Sequence, residues 1–288
     1  MVAMDFGHNH VAVAVADAEG TVLAERWTTI DVDGQAQASL DLAARIVIEL
    51  LEEAGVPRTD VRCAAAGIPA PVDSRSHEIR SMSIMSDWVG INPQKELSGL
   101  LGWRVIVAND ANAAVLAEHS FGSGDSDLML ITVGHGVGAG TLLGGTPIFG
   151  GHSAAGEIGH VVVGDDEGLA CACGKSGCLE TWLAAPRLEA ALAAADGTRR
   201  DTILREAGRR LGVAVAPVVG ALDLSEIVLS GPIHLLDGPL AQAADETIRA
   251  RTMADFHGDL RVRMTALGDD IVMRGAAAMV LARELGVS

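Results

Sequence analysis

Between residues 160 and 178 the chain gathers one histidine and three of its four cysteines, His160, Cys171, Cys173 and Cys178, in the run GHVVVGDDEGLACACGKSGC. Most of that run is glycine, acid and small residues, so it has too little apolar surface to order itself by packing. Three thiolates and an imidazole are the donor set of a tetrahedral zinc site. With all four positions filled by protein, such a site is structural, and the ion folds the loop that binds it. The competing reading is three unligated thiols in a flexible loop. Zinc at these four residues is the expectation.

Composition narrows the context. The 288 residues carry a formal net charge of −17 and a hydrophobic content of 49%. Phosphate backbones need a basic face, so direct nucleic-acid contact by this chain is not expected, and neither is an anionic membrane surface. The start, MVAMDFGHNH, lacks a basic n-region, and no apolar run reaches membrane-spanning length. A cytoplasmic location is therefore expected, where clustered cysteines favour metal over disulfides. Cys63, alone in VRCAAAG, reads as a small buried hydrophobe.

The apolar pattern alternates strand and helix. MVAMDF, HVAVAVA and TVLAERW read as three strands, with turn chemistry in DAEG (17–20) between the last two. Residues 36–54 have a helical period, stopped by Gly55 and Pro57. Strands follow at 61–67, 104–110, 127–134, 225–232 and 262–267. Helices are expected after residue 110, over 180–196 with an interruption near Pro186, over 201–220 and over 275–286. GHGVGAG (134–140) reads as a glycine-rich turn. Two strand-rich starts, each followed by helices, predict an α/β protein of two similar lobes, with ligand loops at the C-terminal ends of strands.

Several residues could carry chemistry. Zinc fixing His160 and Cys178 would also bring Glu157 and Glu180 together, and such carboxylates suit sugar hydroxyls, although a lone glutamate is usually a solvated surface residue. Asp110, ending RVIVAND, is either a base toward a hydroxyl or the N-cap of the following helix, and both readings stand. Asp5 and Gly7 in DFGHNH, and Gly134, Gly136 and Gly138, could present backbone N–H groups to phosphates; tight turns explain the glycines equally well.

GEIGH followed by CACGKSGCLE, preceded by NDANAA and GIPAPVD, resembles the ROK family of repressors, open reading frames and sugar kinases. The resemblance runs from the Asp5 turn to the GAAAM helix. It implies a two-lobed sugar-kinase/actin-like (ribonuclease H-like) fold with a central cleft and a zinc-pinned loop. The lobes would be residues 1–108 plus 275–288, and 109–274 with the zinc loop at 160–178. It implies structural Zn2+ on His160, Cys171, Cys173 and Cys178. It further implies a hexose or amino-hexose held by Asn109, Asp110, Glu157, His160 and Glu180, with His160 serving zinc through one nitrogen and sugar through the other. In a kinase Asp110 would be the catalytic base, and Asp5, Gly7, Gly134, Gly136, Gly138 and Gly231 would face Mg2+ and ATP.

The nucleotide side departs from the family pattern. DxGGT becomes Asp5-Phe6-Gly7-His8-Asn9, GTG becomes Gly134-His135-Gly136, and a paired glycine becomes Gly231-Pro232, which removes a backbone donor. His8 and His135 are expected to crowd a phosphate site. On the sugar side, Ala70 and Ile84 replace a usual glycine and asparagine. The opening stretch and SIMSDWVGI look like actinobacterial ROK regulators, whose winged helix–turn–helix is not expected in this chain. The expectation is the hexose-sensing effector module of a transcriptional regulator, with an ATP-dependent, glucokinase-like hexose kinase as the alternative. The family suggests a homodimer or homotetramer.

Overall fold

The structure is a computed structural model that describes residues 1–17, 20–73, 75–79, 85–164, 169–193 and 195–285. It divides into two compact units, Met1–Phe121 with Phe149–Ala154 and Asp270–Ser288, and Gly122–Ile148 with Ala155–Asp269.

The first unit is built on β1 (Val2–Phe6), β2 (His10–Ala16), β3 (Val22–Thr29), α1 (Ala36–Glu53), β4 (Ala64–Ile68), α2 (Pro93–Leu101), β5 (Val105–Asn109) and α3 (Asp110–Phe121). Its five strands lie in the order β3-β2-β1-β4-β5. The alternation in HVAVAVA sorts two side-chain sizes onto two faces. Val11, Val13 and Val15 enter the larger core with Leu40, Val47 and Leu50 of α1. Ala12 and Ala14 face a second core of small residues. Each fully buried leucine on α1 contributes roughly 1.5–3 kcal/mol by leaving water.

In the second unit come β6 (Leu128–Val133), β7 (Val137–Leu143), β8 (Thr146–Pro147), α4 (Glu180–Leu183), α5 (Ala185–Ala193), α6 (Gly197–Leu222), β9 (Glu226–Ser230), α7 (Ile233–Leu236), α8 (Pro239–Arg251), α9 (Ala254–His257) and β10 (Arg261–Met264). The sheet order β8-β7-β6-β9-β10 repeats that of the first unit strand for strand. In each sheet an antiparallel hairpin supplies the central strand, and two parallel strands follow it.

The chain then returns to the first unit as α10 (Ile271–Leu285), whose Met273, Ala276 and Val280 cover Ala3, Ala12 and Ala14. Alanines on the sheet leave room for this helix, and its glycine lets it approach α3: a Cβ on Gly275 would lie 1.9 Å from the Ala113 carbonyl oxygen. No described helix is long and apolar enough to cross a membrane.

Two expectations change. The glycine-rich turn is only residues 134–136, because Thr132 pairs with Gly138 across the β6–β7 hairpin, and Gly138 and Gly140 are strand residues. Helices α2 and α8 have no counterpart among the expected elements.

Candidate functional site

Register places the first group of candidate residues. Asp5 on β1 pairs with Gly67 on β4, Gly67 with Ala108 on β5, and Ile68 with Asn109. Asp5 and Asn109 therefore lie at the same C-terminal end of the sheet, where ligands meet parallel strands. Asn109 does the capping: its Oδ1 accepts from the N–H groups of Ala111 (3.0 Å) and Asn112 (3.2 Å), and its Nδ2 donates to the Ala70 carbonyl (3.3 Å). Asp110 is the first residue of α3, and its Oδ1 accepts from the Ala111 N–H at 2.7 Å. The N-cap task considered for Asp110 thus falls to its neighbour.

The turn after β1 is closed by histidines in a way the sequence does not reveal. His8, expected to crowd it, turns its Nδ1 to the Asp33 carboxylate at 2.8 and 3.0 Å. His10 takes the space over Gly7, where a Cβ would meet its Cε1 at 2.1 Å. The His10 ring is stacked on Trp27 with centroids 4.5 Å apart, and its Nε2 is 3.3 Å from Oδ2 of Asp5, itself only 4% exposed. The Gly7 N–H donates to the His10 carbonyl at 3.0 Å.

The equivalent turn of the second sheet is also committed internally. The Gly134 N–H donates to the Gly136 carbonyl at 2.9 Å, and the Val137 N–H to Glu180 Oε2 at 3.2 Å. His135 is exposed. Gly231 follows β9 with φ of 143°, and a Cβ there would lie 2.2 Å from the Val133 carbonyl oxygen. Pro232 brings no N–H to the start of α7.

The glycines of GEIGH are explained by close approach. The Ala139 N–H donates to the Gly156 carbonyl at 2.9 Å. Cβ atoms on Gly156 and Gly159 would sit 1.8 and 2.2 Å from the carbonyl oxygens of Ala139 and Val137. Residues 156–160 therefore lie directly on β7, which fixes Glu157 and His160. Antiparallel bridges Val162↔Cys178 and Ala170↔Ser176 fold the rest back, and Gly174 and Gly177 take left-handed turns at φ of 88° and 75°.

This brings the four expected metal ligands together, with ligand atoms of His160, Cys171, Cys173 and Cys178 all within 4.8 Å of one another. Cys171 Sγ is 3.6 Å from His160 Nδ1, and Cys173 Sγ is 3.6 Å from Cys178 Sγ. Bonds of ~2.3 Å to sulfur and ~2.0 Å to nitrogen give tetrahedral edges of roughly 3.5–3.8 Å. The cluster thus has the size and the donor set of a zinc site. Burial pushes the Cys171 thiol up to about 12 and raises that of Cys178, whereas the Lys175 N–H lowers that of Cys173.

The carboxylates flank this cluster. His160 points Nδ1 toward Cys171 and leaves Nε2 4.0 Å from Glu157 Oε2. Burial raises the Glu157 pKa, which His160 partly offsets and Glu180 reinforces. Glu180 opens α4, and its Oε1 accepts from the Cys171 thiol at 3.7 Å. Cys63 is buried, as expected. Ile84 lies outside the described residues.

The model of the ROK family matches residues 1–283. N-acetylmannosamine kinase of Escherichia coli O1:K1 is 31% identical over 287 residues, covering 90% of this chain and 91% of that relative. The ROK hexokinase of Thermus thermophilus superposes with a TM-score of 0.80 at 27% identity, over 100% of this chain and 99% of that one. A ROK family transcriptional regulator, homolog of the E. coli MLC protein, superposes with a TM-score of 0.83 at 24% identity, over 97% of this chain and 77% of that one. The repeated sheets are those of the sugar-kinase/actin-like fold, and the chain belongs to the ROK family.

Proposed function

We propose that this chain binds a hexose or amino-hexose through Asn109, Asp110, Glu157, His160 and Glu180. Zn2+ is held by His160 Nδ1 and the thiolates of Cys171, Cys173 and Cys178, and it fixes the loop that carries the sugar-facing groups. The finer reading is a sensor, the effector module of a transcriptional regulator, in which sugar binding shifts a conformational equilibrium. The observation that carries it is His10: it fills the Gly7 turn and faces Asp5, where a kinase of this family receives phosphate and metal. Calorimetric titration of a non-hydrolysable Mg-ATP analogue, with glucose and N-acetylmannosamine present, tests this. Absence of nucleotide binding alongside sugar binding supports the sensor; nucleotide binding in the micromolar to low millimolar range overturns it.

A second reading, an ATP-dependent hexose kinase, is favoured by Asp110 at the start of α3 and by the N-acetylmannosamine kinase relatives. Asp110 would take the proton of the attacking hydroxyl, and Mg-ATP would lie at the two glycine turns. Its signature is sugar-dependent ADP release, lost in Asp110→Asn.

A further inference from the structure

Arg210 on α6 is engaged on three sides. Its Nη1 donates to the Val163 carbonyl at 2.9 Å, three residues beyond His160. Its Nε donates to Glu206 Oε1 at 2.8 Å. Its guanidinium carbon lies 3.7 Å from the centroid of the Trp182 ring, two residues beyond Glu180. The guanidinium also lies over the next residue: a Cβ on Gly164 would sit 2.2 Å from Nη1, so a side chain there would displace the Arg210 head group. The Arg210 side chain is only 14% exposed, so its contacts are shielded from water. Cation–π contacts strengthen on desolvation, and the planar fork of arginine holds two partners in one geometry.

Two segments leave the metal cluster, one carrying Glu157 and His160, the other Glu180, and Arg210 touches both downstream of the cluster. Pairing between them continues there, with Leu179 N–H donating to Val161 O at 2.9 Å and Val163 N–H to Gly177 O at 3.0 Å. The cysteine knuckle has its own internal bonds, Cys171 N–H to Lys175 O at 2.8 Å and Gly174 N–H to Cys171 O at 3.0 Å. Among the described residues, the hydrogen-bond and ring contacts of Arg210 involve no cysteine. We propose that Arg210 is a positioning residue, a second and metal-independent fastening that orients Glu157, His160 and Glu180. Metal then holds the knuckle at 171–178 and the His160 ring, and Arg210 holds the backbone on either side from which Glu157, His160 and Glu180 project. The sugar part of this inference rests on the proposed function; the two-fastener part does not.

The test is amide hydrogen exchange on the full chain, with and without a chelator, beside sugar titration with N-acetylmannosamine and glucose. In wild type, chelation should expose the amides of Cys171 and Gly174 and leave that of Leu179, bonded to Val161 O, protected. Zinc-loaded Arg210→Met should do the reverse and weaken sugar binding about 10-fold or more, as loss of a supporting shell does. Trp182→Phe keeps a ring face for the guanidinium and should stay near wild type, whereas Trp182→Leu should follow Arg210→Met. If Arg210→Met does not fold, Arg210→Lys and Gly164→Ala carry the same comparison. Equal loss of protection at Cys171, Gly174 and Leu179 on chelation, or unchanged protection in the zinc-loaded Arg210 variants, overturns the proposal. If wild type binds neither sugar, the sugar reading fails and the exchange pattern still decides the role of Arg210.

Discussion

His10 illustrates how one side chain can repurpose a turn. Three contacts hold it: the Trp27 ring face, the Asp5 carboxylate and the space above Gly7. His10→Ala should empty that space without touching the apolar faces of the sheet. A gain of Mg-ATP-analogue affinity in the variant, read by calorimetry, is the expected outcome; no gain would show that the closure lies elsewhere. Glu206 gives a residue-scale pH dependence. Hydrogen bonds from Arg209, and then Arg210, hold its carboxyl below the ordinary 4.5. Its pairing therefore stabilises the folded chain above that value, and the contribution fades as pH falls through the lowered folded value. Thermal melts across acid pH should show this loss in wild type and a flatter profile in Glu206→Gln.

At the level of elements, GEIGH depends on two glycines against one strand. Gly159→Ala would drive a methyl into the Val137 carbonyl, and overpacking of this kind costs about 1–3 kcal/mol. The expected result is a lower Tm together with reduced zinc content by metal analysis, because His160 moves with the backbone. Cys178→Ser should lower zinc content while leaving the β7 contact in place. Where the sequence was legible, it was so for specific reasons. HVAVAVA shows period two and is β2 over the same residues. The grouping of His160 with Cys171, Cys173 and Cys178 is legible because a cysteine cluster has few other uses, and the fold brings these four side chains together. Gly138 was misleading, since glycine speaks for a turn and hairpin pairing overrides it. Helix α2 is written in its ends, Asn92, Pro93 and Gly102, more than in its short apolar face. Helix α8 buries Leu240, Ala243, Ala244 and Ile248, and alanine at half of those positions blurs the period. The identity of the histidine over Gly7 was not legible, because DFGHNH offers two and only the hairpin register chooses between them.

For the molecule as a whole, a net charge of −17 means self-repulsion at low ionic strength. Raising salt from about 10 mM to about 150 mM shortens the Debye length to roughly 8 Å. Tm should rise over that range, and a flat response would mean that local pairs such as Arg263 and Arg261 with the fully buried Glu226 already balance the field. The other whole-chain property is that both sheets share one strand order. Between the edge strand of each hairpin and the long helix that follows it, the chain uses residues 30–35 for the first sheet and 148–196 for the second, the latter stretch including Phe149–Ala154 of the first unit. The four candidate metal ligands, His160, Cys171, Cys173 and Cys178, all fall inside that longer connection, which has no counterpart of similar length in the first sheet. A connection of that length hangs from two framework elements without setting the register of any strand, so its length and sequence are free to differ while both sheets keep their pairing.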